Sequence, residues 1–243
     1  MKYSLVISLV LILAISCTHT DADRGTALFH RNGITTTRKA ISQFELNMIA
    51  AGMVDVQKLS PEIRVDLKYT TIDNYWKSDL YGNLSKAYLH VTAAEKLCKA
   101  QALLQNEKPG YRLLIYDAAR PASVQQTMWE TIDIHPSQKH LYLANPARGS
   151  LHNYGMAVDL TICDENGNPL DMGTEFDFFG HPAYSYLESY YLQTGQLNQQ
   201  QYENRLYLAN LMKRAGFSPS TTEWWHYNAC SIYYARQYCK IVP

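Results

Sequence analysis

The chain has 243 residues, and its 22 lysines and arginines balance 22 aspartates and glutamates, so the formal net charge is zero. At about 150 residues per domain, this length predicts one sizeable domain or two small ones. Charge balance without any basic run argues against a nucleic-acid-binding protein, and 47% apolar against 18% charged residues argues against a disordered one.

The first 16 residues are typical of a secretion signal. Lys2 precedes an apolar run from Leu5 to Ile15, which is shorter than the roughly 20 apolar residues of a membrane-spanning helix. The run ends in the letters LAIS followed by Cys17, which resembles a bacterial lipobox. We therefore predict a lipoprotein signal over residues 1–16 and a lipid on Cys17. An ordinary signal peptide is the alternative.

The chain after the signal divides into a tether and one domain. Residues 17–42 are polar and without hydrophobic pattern, which predicts a tether, and residues 43–243 carry the pattern of a folded domain. The domain holds four cysteines without metal-binding spacing: Cys98, Cys163, Cys230 and Cys239. An exported protein can form disulfides, so free thiols and one bridge, for example between the last two, both remain open.

Hydrophobic pattern and chain breakers predict the elements of this domain. Helices are expected over residues 43–51, 92–105, 121–132 and 198–215, with Thr92 capping the second and Gly216 ending the last. Strands are expected over residues 53–57, 63–69, 111–116, 156–162 and 222–228, and residues 136–150 read as a loop or broken helix. The uneven alternation predicts an α+β fold, a central antiparallel or mixed sheet with flanking helices.

Two segments place ionisable side chains among large apolar ones. In SLHNYGMAVDL, His152 lies in a loop and Asp159 lies inside an apolar strand. In EWWHY, Glu223 and His226 flank two tryptophans. A buried carboxylate must be paired, hydrogen-bonded or bound to a metal, because the bare ion costs several kcal/mol. A strand would turn Glu223 and His226 to opposite faces, so they converge only at a bulge or where Glu223 lies at the start of the strand.

These side chains and one arginine form the donor set of a metal hydrolase. His152, Asp159 and His226 offer two imidazoles and one carboxylate, which suits Zn²⁺ and leaves a fourth position for water. The metal lowers the pKa of that water to about 7, and Glu223 could take its proton. Arg120, which follows a buried strand in DAARP, could stabilise the oxyanion formed when water attacks a carbonyl. The set predicts hydrolysis of an amide.

The same segments resemble a known family. The pattern S-x-H-x-x-G-x-A-x-D, followed by E-x-x-H within EWWHY, is similar to the zinc D-Ala-D-Ala dipeptidases of the VanX type. These enzymes belong with the D-alanyl-D-alanine carboxypeptidases and the Hedgehog-like domains. VDLKY, TIDNY, YDAARP and MGTEFD also resemble dipeptidase segments in the right order, so the resemblance covers residues 45 to 235. It implies one Hedgehog-like metallopeptidase domain with one Zn²⁺ per chain that cleaves D-alanyl-D-alanine into two D-alanines.

The resemblance also implies roles for seven residues. The implied zinc ligands are His152, Asp159 and His226, the general base is Glu223, the carbonyl and oxyanion partner is Arg120, and the acceptors of the substrate's amine are Asp177 and Tyr69. The chain departs from the family where Leu151, rather than a serine, directly precedes the ligand histidine. A hydrogen bond from that position to the substrate is therefore not expected.

Other functions stay open at the level of the sequence. A D,D-carboxypeptidase or endopeptidase acting on peptidoglycan stem peptides needs the same metal site. A non-catalytic zinc-stabilised binding module would not need Glu223 or Arg120, and a sugar-binding domain rests only on the 19 tyrosines. The signal predicts export to the periplasmic side of a bacterial membrane, with the lipid as the membrane contact. The expected partner is a small D,D-dipeptide, and no nucleic acid or protein partner is predicted.

Overall fold

The computed structural model describes residues 26–31, 34–39 and 41–243. The predicted signal and Cys17 lie outside the described residues, so both stay predictions. In the segment predicted as a tether, β1 (Thr26–Arg31) pairs antiparallel with β2 (Ile34–Lys39). These strands belong to a unit that ends at residue 40, and residues 41–243 form a second compact unit.

The second unit combines helices with short strands. Its α-helices are α1 (Gln43–Ala50), α2 (Val56–Leu59), α3 (Val91–Glu107), α4 (Ala122–Thr131), α5 (Glu188–Gln193), α6 (Gln199–Ala215) and α7 (Ile232–Tyr238). Its strands are β3 (Val54–Asp55), β4 (Arg64–Val65), β5 (Tyr88–Leu89), β6 (Arg112–Asp117), β7 (Ala157–Cys163), β8 (Ser218–Pro219) and β9 (His226–Asn228). Short 3-10 turns cover Lys68–Thr70, Lys139–Leu141, Pro146–Arg148, Leu151–Tyr154, His181–Ala183 and Ser185–Leu187.

A five-stranded mixed sheet organises this unit. Its strand order is β4-β6-β7-β9-β8, with β4 parallel to β6 and the other neighbours antiparallel. Every residue of β7 is buried, because this strand lies in the middle of the sheet. β3 and β5 pair separately, and α3 packs against both β6 and α6. The predicted α+β fold with a mixed sheet and flanking helices is confirmed.

The long helices agree with the sequence, but one cap differs. α6 begins after Asn198, whose side chain accepts a hydrogen bond from the Gln201 amide, and ends at Gly216 with φ +100°. α3 begins at Val91, one residue earlier than predicted. The His90 ring caps it in place of Thr92, because it accepts the Thr92 amide at 3.3 Å. The prediction of Thr92 as cap was therefore wrong.

Three predicted strands are much shorter in the structure. The strand expected over residues 53–57 stops at Asp55, because its carboxylate accepts the Gln57 amide and starts α2. The strand expected over residues 63–69 gives way to the turn Lys68–Thr70, which removes Tyr69 from the sheet. The strand expected over residues 222–228 covers only β9. Local hydrogen bonds and turns replaced sheet pairing in these segments.

Two further findings concern the cysteines and the helices. Cys98, Cys163, Cys230 and Cys239 are free thiols in the structure. Within residues 26–31, 34–39 and 41–243, no helix is long and apolar enough to cross a bilayer.

Candidate active site

Strand register brings three polar side chains into one row across the sheet. Asp117 at the end of β6 is opposite Asp159 on β7, and Asp159 is opposite His226 on β9. The β6–β7 register shifts between Ile115 and Asp117, and this irregularity places the two aspartates opposite each other. Asp159 therefore lies at the centre of the row, with a polar neighbour on each side.

His152 reaches this row from a short 3-10 turn. The turn begins at Ser150, whose side chain and backbone exchange hydrogen bonds with the turn, the backbone amide donating to Asn153 Oδ1 at 2.7 Å. The His152 ring is buried, and its Nδ1 lies 2.7 Å from the Ala118 carbonyl oxygen. A carbonyl can only accept, so Nδ1 carries the proton and Nε2 keeps its lone pair.

Three ligand atoms converge at the centre of the row. Asp159 Oδ1 lies 2.9 Å from His226 Nδ1 and 3.4 Å from His152 Nε2, and the two ring nitrogens are 3.2 Å apart. Ligand bonds of 2.0–2.2 Å around a tetrahedral Zn²⁺ would place such atoms about 3.3–3.5 Å apart. Within the described part of the chain, these three residues have ligand atoms close enough to one another to hold a metal ion. Their donor types and spacing fit one zinc ion.

The second ring of this set is also oriented by a neighbour. His226 Nε2 lies 2.9 Å from Asn228 Oδ1, an oxygen that can only accept, so Nε2 carries a proton and Nδ1 faces the other candidate ligand atoms. Burial opposes ionisation of Asp159, but when the His152 and His226 rings are protonated their charges and hydrogen bonds outweigh burial and hold its pKa below the ordinary value. The carboxylate is thus ionised, as a metal ligand must be.

Glu223 stands beside the ligand set without joining it. It precedes β9 and is followed by a turn at the two tryptophans, so the strand alternation does not separate it from His226. Its Oε2 is 3.8 Å from His226 Nδ1. Burial raises the pKa of Glu223 to about 8, with the His226 charge opposing this shift and Asp159 adding to it. The sequence allowed Glu223 and His226 to converge either at a bulge or with Glu223 at the start of the strand. The structure shows the second arrangement, with Glu223 just before β9.

Arg120 is held by a carboxylate that sequence reasoning assigned no role. Asp117 Oδ2 accepts hydrogen bonds from Arg120 Nε at 2.9 Å and Nη2 at 2.7 Å, and Asp117 Oδ1 accepts the Tyr81 hydroxyl at 2.6 Å. Arg120 Nη1 donates to Gln125 Oε1 at 3.0 Å. These three bonds use three of the five guanidinium N–H groups. The aspartate at the end of a buried strand, three residues before the arginine, was the available signal.

Asp177 and Tyr69 are far apart in the sequence but are hydrogen-bonded to each other in the structure. The Tyr69 hydroxyl donates to Asp177 Oδ1 at 2.9 Å, and the Tyr75 amide donates to Oδ2 at 3.3 Å. Burial raises the pKa of Asp177 to about 7, although these two hydrogen bonds and the Arg120 charge act in the opposite direction. The Arg120 guanidinium also lies 5.2 Å from the centre of the Tyr69 ring.

All seven residues singled out by the sequence line one cavity of about 320 Å³. The cavity is also lined by Trp76 and Asn228, which the sequence analysis did not select, and by residues 140–144. Asp117 lies behind the cavity wall and is fully buried. The geometry defines a metal-dependent hydrolase site: a ligand triad, an adjacent carboxylate, an oriented arginine and a second carboxylate in one pocket.

The comparisons with known proteins identify the family. The peptidase M15 family model, described as D-ala-D-ala dipeptidase, matches residues 49–242, and the chain belongs to this family. D-alanyl-D-alanine dipeptidase of Escherichia coli is 33% identical over 175 residues, covering 72% of this chain and 83% of that protein. D-alanyl-D-alanine dipeptidase of Synechocystis sp. is 30% identical over 195 residues, covering 67% and 77%. The predicted family, peptidase class and dipeptidase function are confirmed.

The vancomycin resistance D,D-pentapeptidase VanY, in complex with Zn(II), has a TM-score of 0.38 and 15% identity, covering 62% of this chain and 78% of that chain.

Proposed function

We propose that this protein uses one Zn²⁺ per chain to hydrolyse D-alanyl-D-alanine to two D-alanines, on the periplasmic side of a bacterial membrane. The observation that carries the proposal is the single cavity of about 320 Å³ that all seven candidate residues line. A cavity of this size is at the lower end for small-molecule sites, which suits a dipeptide.

His152, Asp159 and His226 would hold the ion. When bound, zinc supplies Lewis-acid chemistry and lowers the pKa of a coordinated water to about 7. The protein's contribution is to orient both imidazoles, through the Ala118 carbonyl for one ring and Asn228 for the other. Without these acceptors, each ring would have to be reoriented each time the metal binds.

Glu223 is proposed as the group that moves the proton. Its carboxylate lies beside the ligand set, with Oε2 at 3.8 Å from His226 Nδ1, and burial raises its pKa. A carboxylate in this position can accept a proton from water as the water attacks and then donate it to the leaving amine. The residue ends the cycle in the state in which it began.

Arg120 is proposed to bind the scissile carbonyl. Its guanidinium is buried, stays charged and is fixed on one side by Asp117, while the side chain also lines the cavity. The N–H groups not used by Asp117 and Gln125 are available to the carbonyl oxygen, and they gain strength as negative charge develops there. The interaction is therefore stronger in the transition state than in the bound substrate.

Asp177 and Tyr69 are proposed to receive the substrate's free amine. An ammonium group needs an anionic or aromatic partner, and the buried Asp177 carboxylate, hydrogen-bonded to Tyr69, supplies one inside the cavity. An N-acylated substrate has no ammonium and would leave this carboxylate buried without a cation. This observation favours a dipeptidase over the alternative, a D,D-carboxypeptidase or endopeptidase acting on peptidoglycan stem peptides.

A paired assay tests the function. The purified mature protein, with and without a chelator, is given D-alanyl-D-alanine and its N-acetyl derivative, and released D-alanine is measured. A strict zinc dipeptidase releases D-alanine only from the free dipeptide, and only before chelation or after zinc is restored. Equal hydrolysis of the N-acetyl derivative would instead identify a carboxypeptidase. Hydrolysis that survives complete removal of the metal would refute the zinc assignment.

We also propose that Cys17 carries the lipid that anchors the enzyme. The proposal is supported by the lipobox-like LAIS before Cys17 and by the polar segment that separates it from the compact unit. Labelling cells with a radioactive fatty acid should mark the wild-type protein but not the Cys17→Ala variant. Absence of label on the wild type would leave an ordinary secreted enzyme.

A further inference from the structure

Arg205 on α6 is one of the largest fully buried side chains of the protein, with 1% of its surface exposed. Its Nε donates to the Met172 carbonyl oxygen at 2.6 Å, and its Nη1 donates to the Pro182 carbonyl oxygen at 2.8 Å. Residues 172–182, here called the Asp177 loop, are thus fastened near both ends by one guanidinium. A buried charge is costly, so its retention here needs a reason beyond packing.

The same face of α6 holds the start of the loop at two further points. Asn204 Nδ2 donates to the Asp171 carbonyl oxygen at 2.8 Å, and Gln201 Nε2 donates to Asp171 Oδ2 at 2.8 Å. Gln201, Asn204 and Arg205 are spaced i, i+3 and i+4, which places them together on one side of the helix. The helix therefore presents a row of donors that bind the Asp171 side chain and the backbone before and within the Asp177 loop.

The loop has a conformation that needs such support. Asp177 itself has φ +59°, a left-handed conformation that is uncommon outside glycine. Gly173 has φ +80°, and a Cβ there would collide with the Leu197 side chain. In this conformation the Asp177 carboxylate accepts hydrogen bonds from the Tyr69 hydroxyl and the Tyr75 amide. Fixing the loop at both ends keeps the carboxylate inside the cavity.

A lysine could not replace this arginine. The planar guanidinium directs separate N–H groups at two carbonyl oxygens that belong to opposite ends of the loop, whereas an ammonium is a single compact donor on a flexible stem. Burial lowers the pKa of Arg205 to about 10, with Glu188 opposing the shift, so the side chain stays charged at neutral pH. The bonds to the loop are therefore charge-assisted.

We propose that Arg205 is a positioning residue for substrate binding: it holds the Asp177 loop so that Asp177 receives the substrate's ammonium group. The inference rests on the proposed function, since it assumes a substrate with a free amine. It assigns Arg205 to affinity rather than to the chemical step, because the ligand triad and Glu223 lie outside the loop, on β7, on β9 and in the turns next to them.

The test compares Arg205→Lys with Arg214→Lys. Arg214 is on the same helix but is exposed and pairs with Glu107 at the surface, so its conservative variant is the matched control. For D-alanyl-D-alanine we expect Arg205→Lys to raise KM at least fivefold, with kcat changed less than threefold and zinc content unchanged. Arg214→Lys should leave both constants at wild-type values. A folded Arg205→Lys protein with wild-type KM would overturn the proposal.

A double-mutant cycle with Asp177→Asn separates positioning from a general structural role. If Arg205 acts through Asp177, Arg205→Lys should not raise KM further once Asp177 has lost its charge. Additive increases in KM would overturn the proposal. If Arg205→Lys does not fold, Asn204→Ala replaces it in the same cycle. Asn204→Ala removes one bond to the backbone just before the loop, so we expect a KM increase of at least twofold that disappears in the Asp177→Asn background.

Amide hydrogen exchange tests the structural half of the proposal without substrate. Exchange within residues 172–182 should become at least fivefold faster in Arg205→Lys, while exchange in α3 stays unchanged, and Arg214→Lys should show neither change. Unchanged exchange in the loop would overturn the proposal. If the exchange results are as expected but the wild-type protein does not cleave D-alanyl-D-alanine, the proposed function is contradicted. The support of the loop by Arg205 would then still stand.

Discussion

The carboxylate of Asp117 faces the edge of the Arg120 guanidinium and accepts its Nε and Nη2 hydrogens at 2.9 and 2.7 Å. Both side chains are buried, and Asp117 also accepts the Tyr81 hydroxyl. Two bonds from adjacent N–H groups to the same oxygen, Asp117 Oδ2, restrict the orientation of the guanidinium more than one bond would. The aspartate at the end of β6 therefore sets the direction in which the remaining Arg120 N–H groups point.

We predict that Asp117→Asn lowers kcat/KM for D-alanyl-D-alanine by about 100-fold, since a displacement of a catalytic group by about 1 Å can cost that much. The amide keeps the shape of the carboxylate but is neutral, so the two bonds from Arg120 to this position lose their charge assistance. Steady-state kinetics with purified protein check this. The exposed Asp133→Asn is the control and should keep wild-type activity. Comparable activity in both variants would show that Arg120 does not depend on Asp117.

We predict that Asn228→Ala weakens zinc binding about 10–100-fold, the usual effect of removing a residue that orients a metal ligand. His226 Nε2 loses its acceptor, so the ring no longer prefers the tautomer and rotation that direct Nδ1 at the metal. Competition with a chelating dye measures the affinity. Asn210→Ala, an exposed asparagine on α6, is the control. Zinc affinity that is equal in both variants would contradict this role for Asn228.

The candidate ligands could be selected from the sequence because they are ionisable residues in apolar segments. Asp159 lies inside an apolar strand and His226 beside two tryptophans, and such positions require a charge or metal partner. The row of Asp117, Asp159 and His226 across the sheet could not be predicted. It depends on the β6–β7 and β7–β9 registers and on the register shift in β6. Pairing between distant strands leaves no local pattern.

The errors have a different physical cause. Tyr69 was predicted inside a strand, but the turn Lys68–Thr70 directs its hydroxyl to Asp177, 108 positions later in the chain. Arg205 has no distinguishing feature in the sequence, because an arginine in a polar helix is usually solvated and nothing in the sequence shows which loop lies against that helix. Tertiary contacts determined both outcomes.

We predict that Glu223→Gln lowers kcat at least 100-fold while zinc content stays at the wild-type level. General acid–base catalysis contributes about 10²–10⁴-fold, and glutamine has a similar shape but cannot accept the proton. Because Glu223 is not one of the three ligand residues, the metal should remain bound. Activity assays combined with metal analysis test both halves, and the exposed Glu95→Gln serves as control. Substantial residual turnover would assign the proton transfer to another group, and loss of zinc would make Glu223 a ligand.

We predict that KM for D-alanyl-D-alanine rises as the pH falls below 7. Burial raises the pKa of Asp177 to about 7, so above that pH the carboxylate is ionised and attracts the ammonium, whereas below it the neutral acid does not. Well below the pKa, the ionised fraction falls about tenfold for each pH unit, and KM should rise in proportion. KM and kcat measured between pH 5.5 and 8 provide the test.

The Asp177→Asn variant isolates this effect from other titrations. It should have a high KM at every pH in the range, close to the wild-type value at the acidic end, because its side chain resembles the protonated acid. Protonation of the metal ligands weakens both proteins alike, so the difference between the two KM profiles reports Asp177 alone. Parallel profiles, with the same pH dependence in wild type and variant, would show that Asp177 does not bind the substrate's amine as a carboxylate.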